Sequence, residues 1–389
     1  MGRINDLIKE MCPNGVEFKK LEDCCNILDN KRKPISKGIR EMGEYPYYGA
    51  NGIQDYINDY IFDGKYVLVG EDGSVQTPNG TPIVNWAIGK IWVNNHAHII
   101  EEIDGVSLRY LYHYLQIVDV KDLIHGNIPK LNQSNFRNIK IAVPPLEVQE
   151  EIVKILDKFG ELEAELEAEL EARKSQYEFW REKLLNDDNL VTIGDLLEDK
   201  GYIRGPFGSA LVKADMVSEG IPVYEQQHAI YNHRNFRYFI SLDKAKKLER
   251  FSIKPNDLII SCSGTVGKVS VISDNDPKGI INQALLILRL NKKLIMPKYM
   301  KYYLESPVGY RSITSNTNKS AQVNIANRET IEKIKISVPS LEHQKHIVNI
   351  LDKFDALVND ISEGLPAEIE LRRKQYEYYR NKLLSFEEL

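Results

Sequence analysis

The sequence predicts an α+β protein with an internal pseudo-twofold repeat. Its plan is two similar globular α/β domains with twisted, mostly antiparallel sheets, separated by two long antiparallel helices in a coiled coil. Three observations predict this. Residues 141–159 (IAVPPLEVQEEIVKILDKF) return as 336–354 (ISVPSLEHQKHIVNILDKF), identical at 13 of 19 positions at an offset of 195, and RKSQYEFWREKLL (173–185) returns as RRKQYEYYRNKLL (372–384) with 8 of 13 identical at an offset of 199. A period near 195 residues is far too long for a solenoid array, so a whole domain-plus-helix unit is duplicated. Apolar residues at helical spacing start abruptly after each VPP or VPS, while the stretches before them break into short β-prone runs between Gly, Asn and Pro.

In chain order, residues 1–140 form a first globule. Runs such as YVLVG (66–70) and KIWVNNHAHII (90–100) read as strands, YGANG (48–52) and GEDGSVQTPNGTP (70–82) as loops, and SLRYLYHYLQ (107–116) as a helix. Residues 141–188 form a central helical region. Val148, Ile152, Ile155, Phe159, Leu162 and Leu166 alternate spacings of 4 and 3, a heptad seam. The tetrapeptide ELEA then occurs three times (161–172), and the seam resumes at Tyr177 and Trp180. A helix this acidic with so narrow an apolar stripe needs a partner. The expected partner is the 336–389 region, where Ile347, Ile350, Phe354, Leu357 and Ile361 continue the spacing until Gly364 and Pro366 interrupt it; Tyr376 and Tyr379 follow.

Residues 189–335 repeat the first globule faintly. VEFKKLED (16–23) aligns with VTIGDLLE (191–198), EYPYYG (44–49) with GIPVYE (220–225), VLVGEDGSV (67–75) with LIISCSGTV (258–266), and LRYLYHYL (108–115) with PKYMKYYL (297–304). The sequence between these anchors diverges, as expected when two copies of a scaffold carry different loops.

The 389 residues are 42% hydrophobic and 28% charged, an ordinary composition for a globular protein. No apolar run reaches the length of a membrane span, and MGRINDLIKEM lacks a signal-peptide pattern, so the expected location is the cytoplasm. Four cysteines without CxxC spacing point to neither a disulfide framework nor a zinc site. The net charge of −5 is unevenly spread: −2 over 1–140, −8 over 141–188, +8 over 189–335 and −3 over 336–389. Acid gathers in the helices and base in the second globule, so different parts should meet different partners.

Catalytic signatures are missing. SGTVGKVS (263–270) has Cys262 and Val269 where a phosphate loop needs Gly and Ser/Thr, and reads as a strand–strand turn with an exposed Lys268. His96 and His98 alternate on a strand with no third metal ligand in view, and His343 and His346 lie on the second long helix without a ligand set. No Ser/His/Asp arrangement, nuclease-type cluster, dinucleotide motif or amino-methyltransferase motif stands out, so no catalytic residue, metal or cofactor is expected in this chain. Binding chemistry remains. Arg204, Arg234, Arg237, Lys268 and Lys319 can clamp guanine edges or phosphates. Asn51, Gln76, Asn79, Gln226, Gln227, Asn316 and Gln322 can pair bidentately with adenine. Tyr47, Tyr48 and His228 complete a set expected on loops of the two copies.

The repeated IAVPPLEVQEEIVKILDKF and ISVPSLEHQKHIVNILDKF, their QYEFWREKLL and QYEYYRNKLL endings, GNIPKLNQSNFRNIKI (126–141), RGPFGSALVK (204–213) and the ELEA tetrapeptides together resemble the specificity subunit of type I restriction-modification systems. The resemblance implies two target-recognition domains, each reading one half of a bipartite double-stranded DNA site. It implies helices that act as a ruler and dock two methyltransferase subunits, with restriction/translocase subunits joining the assembly. S-adenosylmethionine, ATP and Mg²⁺ would then belong to those partners. The alternatives are the DNA-reading subunit of a related, non-type-I restriction system, or a coiled-coil scaffold for proteins.

Overall fold

The computed structural model describes residues 2–73, 75–314 and 325–389. The chain forms two compact units, Met1–Glu167 with Glu368–Leu389, and Ala168–Ala367. The first contains α1 (Gly2–Met11), β1 (Glu17–Lys20), β2 (Asn26–Ile27), β3 (Met42–Gly49), β4 (Gly52–Ile57), β5 (Phe62–Gly70), β6 (Val84–Val93), β7 (Ala97–Glu101), α2 (Leu108–Leu115), α3 (Gln133–Arg137), β8 (Lys140–Val143) and the first part of α4 (Leu146–Leu184). The second contains the rest of α4, β9 (Leu190–Thr192), β10 (Leu197–Arg204), β11 (Met216–Val217), β12 (Ile221–Tyr224), α5 (Gln226–Ile230), β13 (Phe239–Ile240), α6 (Leu242–Lys247), β14 (Leu258–Ser261), β15 (Val269–Val271), β16 (Ile280–Ile281), β17 (Leu285–Leu290), α7 (Pro297–Glu305), α8 (Pro307–Thr314), α9 (Arg328–Lys333), β18 (Lys335–Ser337) and α10 (Leu341–Asn359). The last helix, α11 (Leu365–Leu384), belongs from Glu368 onward to the first unit.

Among the described residues, the first unit has a six-stranded sheet in the order β2-β7-β5-β6-β3-β4, antiparallel except for β3 against β6, and a β1–β8 ribbon. The apolar run in β5 is continuous because both faces of the sheet are covered. Val67 and Val69 join the core beneath α2, while Tyr66 and Leu68 join a second cluster with Phe62 and Ile99 on the other face. The second unit repeats this device with β14 in a β10-β17-β14-β15 sheet: Leu258 and Ile260 face one core, Ile259 the other. A β11-β13-β12-β16 sheet and a β9–β18 ribbon complete its strands.

The repeat extends to the buried hydrogen bonds. Gln149, fully buried near the start of α4, accepts from the Ser107 N–H at 2.9 Å and donates to the carbonyls of Gly105 and Pro144. Gln344, fully buried near the start of α10, accepts from Met296 N–H at 2.8 Å and donates to Leu294 and Pro339. The Tyr110 hydroxyl donates to Ala142 O, and the Tyr299 hydroxyl to Ser337 O, which ties α2 or α7 to the strand before each long helix. Three of the four sequence anchors keep their register here; Tyr48 beside Val93 matches Tyr224 beside Ile281, for example. The first anchor slips. Lys20 faces Lys140 as Thr192 faces Lys335, so β9 corresponds to residues three places later in β1 than the aligned letters indicate.

The expected long helix is continuous: α4 has 39 residues, about 58 Å at 1.5 Å per residue. Its partners, α10 and α11, come from the 336–389 region as expected, but its seam differs from the expectation. Val148, Ile152 and Leu156 are fully buried in the first unit's core and Ile347 and Leu351 in the second's, so these first turns are core helices. Spacings of 4 and 3 suit a core-facing stripe as well as a coiled-coil seam, and the letters alone do not separate the two. Ile155 packs at the edge of the same core, Ile350 is half-buried, and Leu357 and Ile361 are exposed. Beyond the core, the first unit pairs α4 with α11 in antiparallel fashion. Phe159 stacks on Tyr379 at 5.4 Å, half-buried Leu162 and Leu166 follow, and Arg373 reaches Glu163 and Glu167 further along α4. In the second unit, the end of α4 meets α10, with Tyr177 stacked on Phe354 at 6.1 Å. The expected interruption is present between Asn359 and Leu365. A Cβ on Gly364 would lie 2.5 Å from the Ala356 carbonyl oxygen, an approach only glycine allows. No helix of the described residues is long and apolar enough to cross a membrane.

Candidate nucleic-acid interface

Two of the expected loop residues of the first unit are core. Tyr47 and Tyr48 lie on β3 and are buried. The Tyr47 hydroxyl accepts from Ile35 N–H at 3.0 Å, and Arg40 covers its ring at 4.0 Å. The β-prone tyrosines are drawn into the covered end of β3, while the tip of the hairpin stays in solvent. That tip carries exposed Asn51, which gathers with exposed Gln76 and Asn79 around a concavity of about 520 Å³, closed by Gln116, Glu377 and Arg380. The 76–82 turn is stiff, with Thr77 and Thr81 paired through both backbone and hydroxyls and Gly80 at φ +87°. Among the amides expected in this unit, these three are the ones the fold presents together.

Beneath the loop, a charged network occupies one end of β5 and β7. Asp29 accepts from Ile99 N–H and lies 2.6 Å from His98 Nδ1; His98 Nε2 lies 2.8 Å from the Leu131 carbonyl, and its ring stacks on Phe136 at 4.1 Å. Arg32 Nη1 reaches Glu71 at 2.6 Å and the Ala97 carbonyl, and Lys130 reaches Glu71 from outside. Burial raises the Asp29 carboxyl, but the His98 hydrogen bond and the nearby charges, Arg32 included, outweigh it and hold that group below its usual range. Asp29, Glu71 and His98 are close enough to share a cation. Arg32 and Lys130 already neutralise the carboxylates, however, and both His98 nitrogens are engaged, so the cluster is a structural ion-pair network. His96 is not on the strand: it lies in the turn before β7, half-exposed and paired with Asp72.

The corresponding place in the second unit is rewritten. Strand register sets Arg204 beside Leu286 where Asp29 meets the β7 position of His98, and Cys262 follows Ser261 as Glu71 follows Gly70. Burial pushes the Cys262 thiol up to about 12, with Arg204 pulling the other way. Arg204 also lies 5.7 Å from the exposed Phe207 ring.

Around α5, Glu225 organises the polar surface. Arg237 grips its carboxylate through Nε at 2.8 Å and Nη2 at 3.0 Å, and Gln227 donates to it at 3.3 Å. Gln226 reaches the Thr265 carbonyl in the β14–β15 turn, whose far end presents exposed Lys268. That turn is the tight one expected, closed by Ser261 Oγ donating to Thr265 O and by Gly264 and Gly267 at positive φ. Gln227 and Arg237 thus meet at Glu225, with Gln226 reaching the neighbouring turn that carries Lys268. His228 does not join them: it is fully buried, its Nδ1 accepts from Glu225 N–H, its Nε2 meets Asn235 O, and burial lowers its pKa. Arg234 is a strut, held by Asp276 at 2.8 Å and by backbone carbonyls. Asn316, Lys319 and Gln322 lie outside the described residues.

The long helices carry a repeated surface of their own. Arg181 lies over Tyr177 at 5.0 Å and Arg380 over Tyr376 at 5.0 Å, at matching positions of the repeat. Next to half-buried Trp180 and Tyr379 stand Phe179 and Tyr378, each 60% exposed.

A family model described as the type I restriction modification DNA specificity domain matches residues 13–172 and 189–371. The chain belongs to that family. This specificity subunit is 37% identical over 382 residues to a Haemophilus influenzae protein named as a type I restriction enzyme specificity subunit, covering 95% of this chain and 96% of that one. It is 31% identical over 296 residues to the Escherichia coli EcoR124I/EcoR124II specificity subunit, covering 72% and 71%. The solved S subunit of the Mycoplasma genitalium type I restriction-modification system shares the fold, with a TM-score of 0.58 at 14% identity over 96% of this chain and 97% of that one.

The functional reading of the letters overlooked Gln149, Gln344, Arg32 and Glu71. The two glutamines could have been found, since each is an identical letter inside the strongest repeat. Arg32 and Glu71, 39 positions apart, gave no such signal.

Proposed function

We propose that this chain is the DNA-reading, non-catalytic subunit of a type I restriction-modification complex, and that its two units each read one half of a bipartite target with a fixed unread spacer. One observation carries this reading: the buried hydrogen bonds at the start of each long helix are duplicated, at Gln149 and Gln344, while the residues the two units present differ, with an amide-rich turn in one and a cationic α5 patch in the other. Asn51, Gln76 and Asn79 supply base-edge contacts from the first unit. Gln226, Gln227, Arg237 and Lys268 supply base and phosphate contacts from the second.

The helical regions dock two methyltransferase subunits. The matching Phe179 and Tyr378, both largely exposed, support two equivalent sites for one kind of partner. S-adenosylmethionine, ATP and Mg²⁺ act in those partners and in the restriction/translocase subunits that join them. The ELEA stretch sets the spacer. Four helical residues add about 6 Å and turn the helix end by about 40°, close to the rotation of one base pair.

The test is binding of the chain, with its methyltransferase partner, to duplexes bearing the methylated motif at stepped salt concentrations. A reader loses affinity steeply as salt rises and prefers its motif; a protein scaffold binds neither duplex.

A further inference from the structure

The α5 loop carries a feature that the base-edge contacts above leave unused. A column of rings starts in the core at fully buried Tyr224 and runs outward. Phe236 meets Tyr224 at 4.8 Å and stacks on His228 at 4.6 Å; His233 meets His228 edge-on at 5.3 Å; Tyr231 lies parallel to His233, with 5° between planes at 6.1 Å. Tyr231 ends the column 71% exposed.

The loop that holds this ring is fixed from below. Arg234 donates to the carbonyls of His233 and Val271, to Ser270 Oγ and to Asp276. Asn232, between the two outer rings, sits at φ +52° and accepts from Ser270 at 2.5 Å. A left-handed conformation at a non-glycine residue has a cost, which the surrounding hydrogen bonds hold in place. Tyr231 N–H is bonded to Gln227 O, so the exposed ring and the polar patch are parts of one rigid element. The segment that bears it, 189–335, carries a net charge of +8.

We propose that Tyr231, backed by His233, is a stacking platform for a base of the half-site read by the second unit. The inference rests on the DNA-reading function above. A large, stiff aromatic face displayed beside cations and amides suits the π-face of a nucleobase, a contact that adds affinity whatever the identity of the base. Arg237 and the amides of α5 then read edges and phosphates around it.

The test uses the full chain with its methyltransferase partner and duplexes in which 2-aminopurine is stepped through the second unit's half-site. The wild-type complex should change the fluorescence at one position. Tyr231→Ala should abolish that change and weaken specific binding roughly 10-fold, with the thermal transition retained, since the side chain is exposed. Tyr231→Phe should restore both signals. Specific binding by Tyr231→Ala within about twofold of wild type, with the fluorescence response intact, would overturn the platform while leaving the DNA-reading function standing. A Phe variant as weak as the Ala variant would overturn it too, by assigning the effect to the hydroxyl. If the wild-type complex shows no preference for its methylated motif, the reading itself fails and the platform with it.

Discussion

Tyr376 and His113, 263 positions apart in the chain, meet through a 3.0 Å hydrogen bond between the phenol oxygen and Nδ1. On the far side of the imidazole, Nε2 lies 2.8 Å from Asp157 in α4, which also receives Arg109 at 2.8 Å. The last helix of the chain is therefore built into the first unit, and Leu383 and Leu384 bury themselves in that unit's core.

Ending the chain at Gly364 should consequently damage the first unit and spare the second. Each buried leucine lost is worth about 2–5 kcal/mol, and the backbone bond from Val16 N–H to Glu387 O goes as well. Hydrogen exchange should show β7 and α2 losing protection while β14 and α7 keep theirs. Equal loss in both units would count against the division.

Gln149→Leu and Gln344→Leu should each destabilise one unit by about 2–4 kcal/mol, because an N–H and two carbonyls lose their partner in a dry site. Denaturant unfolding of the two variants should give similar losses. Agreement between them is the quantitative form of the repeat.

Arg32→Met should destabilise the first unit by about 3–5 kcal/mol, by leaving the Glu71 carboxylate without its buried cation and Asp29 with one partner fewer. Replacing Glu71 by Gln in the same chain should recover part of that loss. A double-mutant cycle on the melting transition measures the coupling.

Stability should fall on mild acidification. Burial, the largest influence on both, holds the His113 and His228 pKa values below the ordinary 6.5. The unfolded chain then takes up these protons first as pH drops below 6.5, so the stability present above that value is lost until the folded values are reached. Asp157, raised by burial but lowered further by His113 and Arg109, and Asp29 add a second loss below their ordinary 3.8. Unfolding midpoints at pH 7.5 and 5 should differ in that direction, and His113→Gln should reduce the difference.

The duplication, the strand-rich globules, α2 and the break at Gly364 were legible because each is written in local pattern or in repeated letters. Which helix turns face a core and which face a partner helix was not. Ile347 carries the same 4-and-3 signal whether it faces its own unit's core or another helix, and only three-dimensional packing shows the former. The candidate interface was half legible. Amides in turns, such as Asn51, Gln76 and Asn79, come together as their loop chemistry suggested. Tyr47, His228 and Arg234 did not, since their residue types serve a core or a strut equally well. Tyr231 passed unnoticed because an exposed tyrosine leaves no pattern in a sequence.

The central claim, two readers set a fixed stride apart, is met most directly by modified-base sequencing of DNA from cells expressing the chain with its methyltransferase partner. The expected result is a motif of two defined segments around a constant number of undefined bases, with deletion of one ELEA unit shortening that gap and leaving both segments unchanged. A single uninterrupted motif, or a gap indifferent to the deletion, would contradict it.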